Sequence, residues 1–325
     1  MTDARFLVTG AYGCIGTWVV RRLVRDRVAV TSLDLGAEAA RWPLVMSADE
    51  IASVRRRQGD ITELEQVERV LDEDGVTHVI HLAALQVPFC RADPPLGARV
   101  NVLGTVNVFE AVKRRADRIS SLVYASSIAA YDALDGGGGR LEMGGRPGTL
   151  YGVYKRANEG TAHVYWADHG VRSVGLRPHT VFGPGRDQGL TSAPTTAMLA
   201  AAAGRTFRIP FGGTSQFQYA PDAARAFVAA ATAGADGATV HNLAGMSVSM
   251  ADVVAAITAA APDSAGRIGF DDVLLPFPGA ADAASFAALV GALPETPFPE
   301  AVADSVGRFR DLIARGLVDP DRLLR

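Results

Sequence analysis

The stretch TGAYGCIG, residues 9–16, constrains this chain more than any other. Gly10, Gly13 and Gly16 stand at the spacing G-x-x-G-x-x-G, after the apolar run RFLVT and before the amphipathic run CIGTWVVRRLVRD. A glycine pattern alone says little in a chain with 34 glycines, but between a strand and a helix it has a physical reading. Gly10 permits a tight turn, Gly13 lets the backbone approach a pyrophosphate, and Gly16 lets the helix pack closely on the strand. The free N–H groups at the helix start then favour a phosphate charge. Cys14 and Ile15 lie in the same turn and join the glycines as candidate cofactor contacts.

The first half goes on alternating. VAVTSLD (28–34), THVIHLAA (77–84), ISSLVYASS (119–127) and VRSVGLRP (171–178) read as strands. Helical patterns at 14–26, 64–74 and 97–115, and one carrying Tyr151 and Lys155, separate them. This order implies an α/β fold, a Rossmann-type doubly wound parallel sheet. Asp34 closes the second strand, where a carboxylate accepts hydrogen bonds from the adenosine ribose. Leu35 and Gly36 follow it, so no adjacent arginine is offered to a 2′-phosphate, and the expected cofactor is NAD rather than NADP.

After residue 178 loops lengthen, and alanine-rich helices are expected at 195–204, 223–233 and 251–261, the last opened by the cap SMAD. We expect residues 1–178 to form the NAD-binding domain, with a return segment near 214–245, and 179–325 to form mainly a smaller α/β substrate lobe. The segment DGGGGRLEMGGRPG (135–148) reads as a flexible connector or a substrate-covering loop, and FDDVLLPFPGAADAASF (270–286) as a pocket wall or a cap on the lobe. A net charge of −3 gives no basic surface for nucleic acid, and the short runs VRRRQ and VKRRADR read as solvated helix faces or strand edges. Two cysteines are too few for a disulfide framework or a metal cluster. No apolar run reaches the roughly 18 residues of a membrane span, and MTDARFLVTG shows no secretory leader, so the expected location is cytoplasmic.

The chain has two lysines, Lys113 and Lys155, among 32 basic residues. Lys155 stands four residues after Tyr151, so a helix brings both to one face. A tyrosine of pKa about 10 is a poor base at neutral pH, and a nearby ammonium stabilises its phenolate. Tyr154 has Asn158 as its own fourth neighbour and is read as a packing or substrate-wall residue. YASSIAAY (124–131) ends a strand at the sheet's carboxyl edge, where Ser126 or Ser127 can hold a substrate oxygen or simply shape a turn.

The set TGxxGxxG, Asp34, GDI (59–61), HLAA (81–84), NVLGT (101–105), YASS and YxxxK resembles the extended short-chain dehydrogenase/reductases, and within them the NAD-dependent epimerase/dehydratase family. The resemblance continues through LRPHTVFGPG (176–185) and QYAPDAARAF (218–227). It implies Tyr151 as general acid/base, Lys155 as its tuner and nicotinamide-ribose ligand, and Ser127 as the catalytic serine. It places Asp60 and Ile61 at the adenine, and Leu82, Ala83 and Ala84 beneath the pyrophosphate and ribose. Asn101 would hold the helix and active-site waters, and Pro178 would flank the nicotinamide. Gln86, Ser126, Ser127, Tyr151, His179 and Thr180 are the candidate substrate contacts.

Departures narrow the reaction. Ser127 is followed by Ile128 and Ala129 where 4,6-dehydratases carry Asp-Glu, which argues against water elimination. Thr180 and Ser215 stand where nucleotide-sugar epimerases place an asparagine and an arginine on the substrate diphosphate. Arg91 or Arg186 remains to compensate. The first expectation is thus a dehydrogenase acting on a secondary alcohol or hemiacetal of a sugar-like substrate. The second is an epimerase with no net redox change. The third is an NAD-binding regulatory protein without turnover, which the retention of Ser127, Tyr151 and Lys155 disfavours. The family's habit implies a homodimer through helices 97–115 and 151–168.

Overall fold

The computed structural model describes residues 3–131, 146–275, 279 and 281–324. Strands β1 (Arg5–Thr9), β2 (Ala29–Asp34), β3 (Arg55–Gln58), β4 (His78–His81), β5 (Ser121–Ala125) and β6 (Ser173–Arg177) alternate with helices. These are α1 (Cys14–Arg25), α2 (Ala48–Ala52), α3 (Leu64–Glu73), α4 (Val87–Ala92), α5 (Pro94–Ala98), α6 (Gly104–Lys113) and α7 (Leu150–His169). The second half adds β7 (Thr180–Phe182), α8 (Ala193–Ala202), β8 (Phe207–Ile209), β9 (Thr214–Tyr219), α9 (Ala220–Thr232) and β10 (Ala238–Asn242). It closes with β11 (Met246–Ser249), α10 (Met250–Ala260), β12 (Ile268–Phe270), α11 (Ala284–Val290), α12 (Phe298–Ala314) and α13 (Pro320–Leu323).

Among the described residues, seven strands form one sheet in the order β10-β6-β5-β4-β1-β2-β3, each neighbouring pair parallel. The central strands are apolar runs because both faces are covered. On one face Trp18, Val19 and Leu23 of α1 pack with Phe227 of α9 over Phe6 and Val8. On the other, Val67 and Leu71 of α3, Phe109 of α6 and Ala162 of α7 cover Leu7, Val79 and Leu122. Chain order reverses between β1 and β4, which opens a crevice at their carboxyl ends.

Of the segment 214–245, Ala238 to Asn242 pair with Ser173 to Arg177 at the edge of this sheet, while Thr214 to Tyr219 pair with β7 and β11 in a separate one. β3 reads RRRQ with no apolar alternation, yet pairs with β2. Its Arg55 and Arg57 hold the buried Asp74 at 2.8 and 2.6 Å, so VRRRQ is the strand edge of the two expected readings. The second half has its own core, where Phe182, Phe217 and Phe298 meet with ring centroids 5.2–5.9 Å apart. Ser249 caps α10 by accepting a hydrogen bond from the Asp252 N–H, as SMAD suggested. Among the described residues no helix is long and apolar enough to cross a membrane.

The helix expected over 97–115 is interrupted. A π-helical turn, Arg99–Leu103, joins α5 to α6. It carries Asn101, whose side-chain carbonyl accepts from Leu85 N–H at 2.7 Å and whose amide donates to Leu85 C=O at 2.8 Å. That pair of bonds fixes the segment leaving β4, and the looser turn puts Asn101 at the right height for it.

Candidate active site

A cavity of about 610 Å³ opens at the β1–β4 crevice and extends toward β7. Its floor is the glycine turn. Gly10 has φ 65°, and a Cβ there would meet Ala83 N at 2.5 Å. A Cβ on Gly16 would fall 2.2 Å from Gly10 O. At Gly13, which also lines the cavity, the constraint is milder: a Cβ would lie 3.2 Å from Gly10 O. Gly13 is also the N-cap of α1, with no side-chain cap, so the first N–H groups of the helix remain for an anion. Asp34 sits at the end of β2 and accepts from Tyr12 N–H at 2.9 Å and Gly36 N–H at 3.2 Å. Those bonds aim its carboxylate along the cavity wall and leave lone pairs for ribose hydroxyls. The donor set fits a dinucleotide with a free 2′-hydroxyl.

Cys14, Ile15, Asp60, Ile61, Leu82, Ala83, Ala84 and Pro178 line the same cavity. Burial pushes the Cys14 thiol up to about 11, so it acts as a small apolar group rather than a nucleophile. Asn101 is different. It is fully buried behind the wall, bonded to Leu85, and does not line the cavity. Its contribution is to hold the wall in place.

The opposite end gathers Ser127, Tyr151, Lys155, His179 and Gln86. Thr149 caps α7 by accepting from Gly152 N–H, and Gly152 lies so close to Ala129 O that a Cβ would fall 2.0 Å from it. This packing sets the first turn of α7 against the end of β5. Burial raises the Tyr151 phenol, while a hydrogen bond from Ser127 and the charge of Arg186 oppose it. Lys155 is 4% exposed; its ammonium donates to Ala125 O at 2.7 Å and stands 5.5 Å from the centroid of the Tyr151 ring. Burial lowers its pKa to about 8. The lysine expected to tune the phenol thus donates to a backbone carbonyl, and burial outweighs the opposing effect of Ser127 and Arg186 on Tyr151.

Of the two serines, Ser127 turns toward the phenol, and its Oγ also accepts from Ala129 N–H at 3.1 Å. Ser126 turns away and donates to Glu159. Tyr154 donates to Pro94 O at 3.0 Å and packs against Gly97, the packing one of its two expected roles. Thr180 is fully buried and absent from the cavity wall, so its expected place at the substrate is corrected: its hydroxyl pairs with that of Ser215 at 2.8 Å. Both hydroxyls also lie within hydrogen-bond distance of His179 Nδ1, at 3.2 and 3.4 Å. His179 does line the cavity, with its N–H fixed by Gln218 at 2.8 Å.

Arg186 lines the cavity and Arg91 is exposed on α4. Arg186 Nη2 donates to Thr191 at 3.1 Å, while its Nε and the Gln86 carbonyl oxygen are buried without a partner among the described residues. Two further residues were not legible. Arg41 reaches over the glycine turn, donating to Tyr12 O at 2.9 Å and to Asp187 at 2.7 Å. They come from loops far apart in sequence, and no local pattern marks them. Glu159 did carry a signal, since it continues the four-residue step of Tyr151 and Lys155. Residues 135–145 of the glycine-rich segment lie outside the described residues. Within 270–286, none of the described residues lines the cavity; Asp282 O and Ser285 instead bond Asn242 and His241 of β10, at the edge of the seven-stranded sheet rather than on the smaller lobe.

The family model for the NAD-dependent epimerase/dehydratase family matches residues 6–244. The chain belongs to this family. The UDP-glucose 4-epimerase of Mycolicibacterium smegmatis is 30% identical over 270 residues, covering 80% of this chain and 84% of that one. UDP-glucuronate 4-epimerase 2 of Arabidopsis thaliana is 33% identical over 183 residues, which is 55% of this chain but 42% of that protein. The chain therefore spans about two fifths of the plant relative's length. Among solved structures, the Thermus thermophilus UDP-glucose 4-epimerase in complex with NAD superimposes with a TM-score of 0.77 at 26% identity, covering 94% of this chain and 99% of that one. With the epimerase/dehydratase family comes its cofactor, NAD, which the glycine turn and Asp34 fit.

Proposed function

We propose that this protein oxidises a secondary alcohol or hemiacetal hydroxyl of a sugar-like substrate, with Tyr151 taking the proton. The observation that carries this reading is the meeting of Ser127, Tyr151 and Lys155 in the same cavity as the glycine turn and Asp34. NAD, when bound, supplies the hydride acceptor. Gly13 and the start of α1 hold its phosphates, and Asp34 its adenosine ribose. Ser127 holds the substrate oxygen, and Tyr151, whose phenol burial raises while Ser127 and Arg186 oppose that rise, takes its proton. Such general-base help is worth about 10²–10⁴-fold. Lys155 stays charged below about 8 and can reach a ribose hydroxyl with a free N–H.

The same site favours a free sugar acid over a nucleotide sugar. Thr180 and Ser215 bind each other rather than face a diphosphate. Arg186 offers a buried donor beside the phenol, suited to a carboxylate, and Gln86 an acceptor for a hydroxyl. The protein would work in the cytoplasm as a homodimer. Val153, Ala157, Gly160 and Val164 form an exposed stripe on α7 that a second copy would cover, and light scattering should then give twice 34.1 kDa.

The test is a screen of sugar acids, free sugars, polyols and nucleotide sugars with NAD, read by absorbance of the reduced cofactor. Net reduction with one of the first three supports the proposal. A second reading, epimerisation, is favoured by the named activity of the M. smegmatis relative that aligns over 80% of this chain. Stereoisomer interconversion in NMR spectra without net reduction would establish it in place of the first. Under both, Tyr151→Phe should lower turnover at least about a hundredfold and leave NAD binding intact. Unchanged turnover would sink the assignment.

A further inference from the structure

The catalytic face of α7 does not stop at Lys155. Tyr151, Lys155 and Glu159 follow each other at four-residue steps, and they meet three consecutive residues at the end of β5. Ser127 bonds Tyr151, Ala125 O accepts from Lys155 at 2.7 Å, and Ser126 donates to Glu159. Glu159 is in turn gripped from the far side by Arg177, whose Nε and Nη2 each donate at 2.7 Å. Both side chains are 10% exposed. Arg177 lies over the Tyr131 ring and donates to its hydroxyl at 3.2 Å, and Tyr131 donates to Asn242 of β10 at 3.0 Å. One buried network thus ties α7, the corner after β5, β6 and β10 together directly behind the proposed reacting groups.

A buried ion pair is a weak source of stability, because desolvation consumes much of its attraction. A pair so placed needs another account. The groups around Lys155 are Tyr151 and Glu159 on its own helix, His81 on β4 and Cys90 on α4. Burial holds His81 down to about 3 and pushes the Cys90 thiol up, so both are neutral near pH 7. Glu159 is the one of these that carries a negative charge.

We propose that Glu159 is a positioning residue of the active site: clamped by Arg177, it fixes the Ser126–Ser127 corner under the Tyr151 hydroxyl and is the counter-charge of the Lys155 ammonium. The proposal rests on Tyr151 and Lys155 being the acid–base pair, but its test needs no substrate. With only two lysines, protein labelled with ¹³C at lysine Cε gives two signals, and Lys113→Arg identifies that of Lys155. In Glu159→Gln the Lys155 titration midpoint should fall by about one pH unit while Lys113 stays fixed. Exchange of the Ile128 and Ala130 amides should quicken about tenfold as the corner loosens. Glu159→Asp should restore most of the midpoint. Because Glu159→Gln leaves Arg177 buried without its anion, Glu159→Gln/Arg177→Met is measured beside it, and the midpoint should fall there too. An unchanged Lys155 midpoint in the folded single variant, or in the double variant where the single one does not fold, overturns the proposal. The underlying acid–base reading fails on a different measurement, the turnover of Tyr151→Phe.

Discussion

Lys155 is protonated at neutral pH at a cost. Its pKa drops from 10.5 to about 8 on folding, so the unfolded chain holds that proton more tightly. Between those values the unfolded state binds more protons, and stability rises with pH through the window. The difference corresponds to roughly 3 kcal/mol at pH 7. Lys155→Met should therefore lose turnover yet melt at a higher temperature than the parent at pH 7, with the gain shrinking as pH approaches 10.5; thermal melts at pH 7 and 10 check both halves. The alkaline limb of a pH–rate profile should then fall near 8, where the ammonium is lost. That Tyr151 and Lys155 form a pair was legible, since a four-residue step is enough to predict a shared face. That burial sets the lysine's titration was not, because nothing local says how deep a helix face lies.

At the scale of elements, the strand–glycine turn–helix was legible because sterics act within eight residues. Gly16 shows how strict this is. A methyl there falls 2.2 Å from Gly10 O, against backbone that cannot move without shifting β1. Gly16→Ala should abolish NAD binding in calorimetry and lower stability by about 1–3 kcal/mol, the range for overpacking. Other elements answered to distant partners. β3 is made a strand by β2 and Asp74, not by its own three arginines. The π-helical turn at Arg99–Leu103 follows from Asn101 reaching Leu85, sixteen residues back. A helical period across 97–115 predicts the helix and cannot reveal that its hydrogen bonds slip by one residue in the middle.

For the whole molecule, the two halves meet over the cofactor cleft through Arg41 and Asp187. The pair is partly exposed, at 21% and 38% of side-chain area, and such pairs are worth about 0.2–1 kcal/mol. Asp187→Ala should then speed NAD dissociation by up to about fivefold in stopped-flow displacement, an effect that high salt should mimic in the parent. A dehydrogenase releases its reduced cofactor in every cycle, whereas an epimerase gains from keeping it, so the strength of this clasp bears on which reading holds.

β10 has a consequence for how the chain is made. The edge partner of β6 is encoded by residues 238–242, after α7, β7, β8 and β9. During synthesis the first six strands emerge with β6 unpaired on its outer side, an open edge of the kind that recruits other chains. The sheet closes only when some sixty further residues have left the ribosome, and Asn242 then completes the network behind the active site. A nascent chain halted near residue 178 would therefore be an incomplete sheet rather than a finished nucleotide-binding unit.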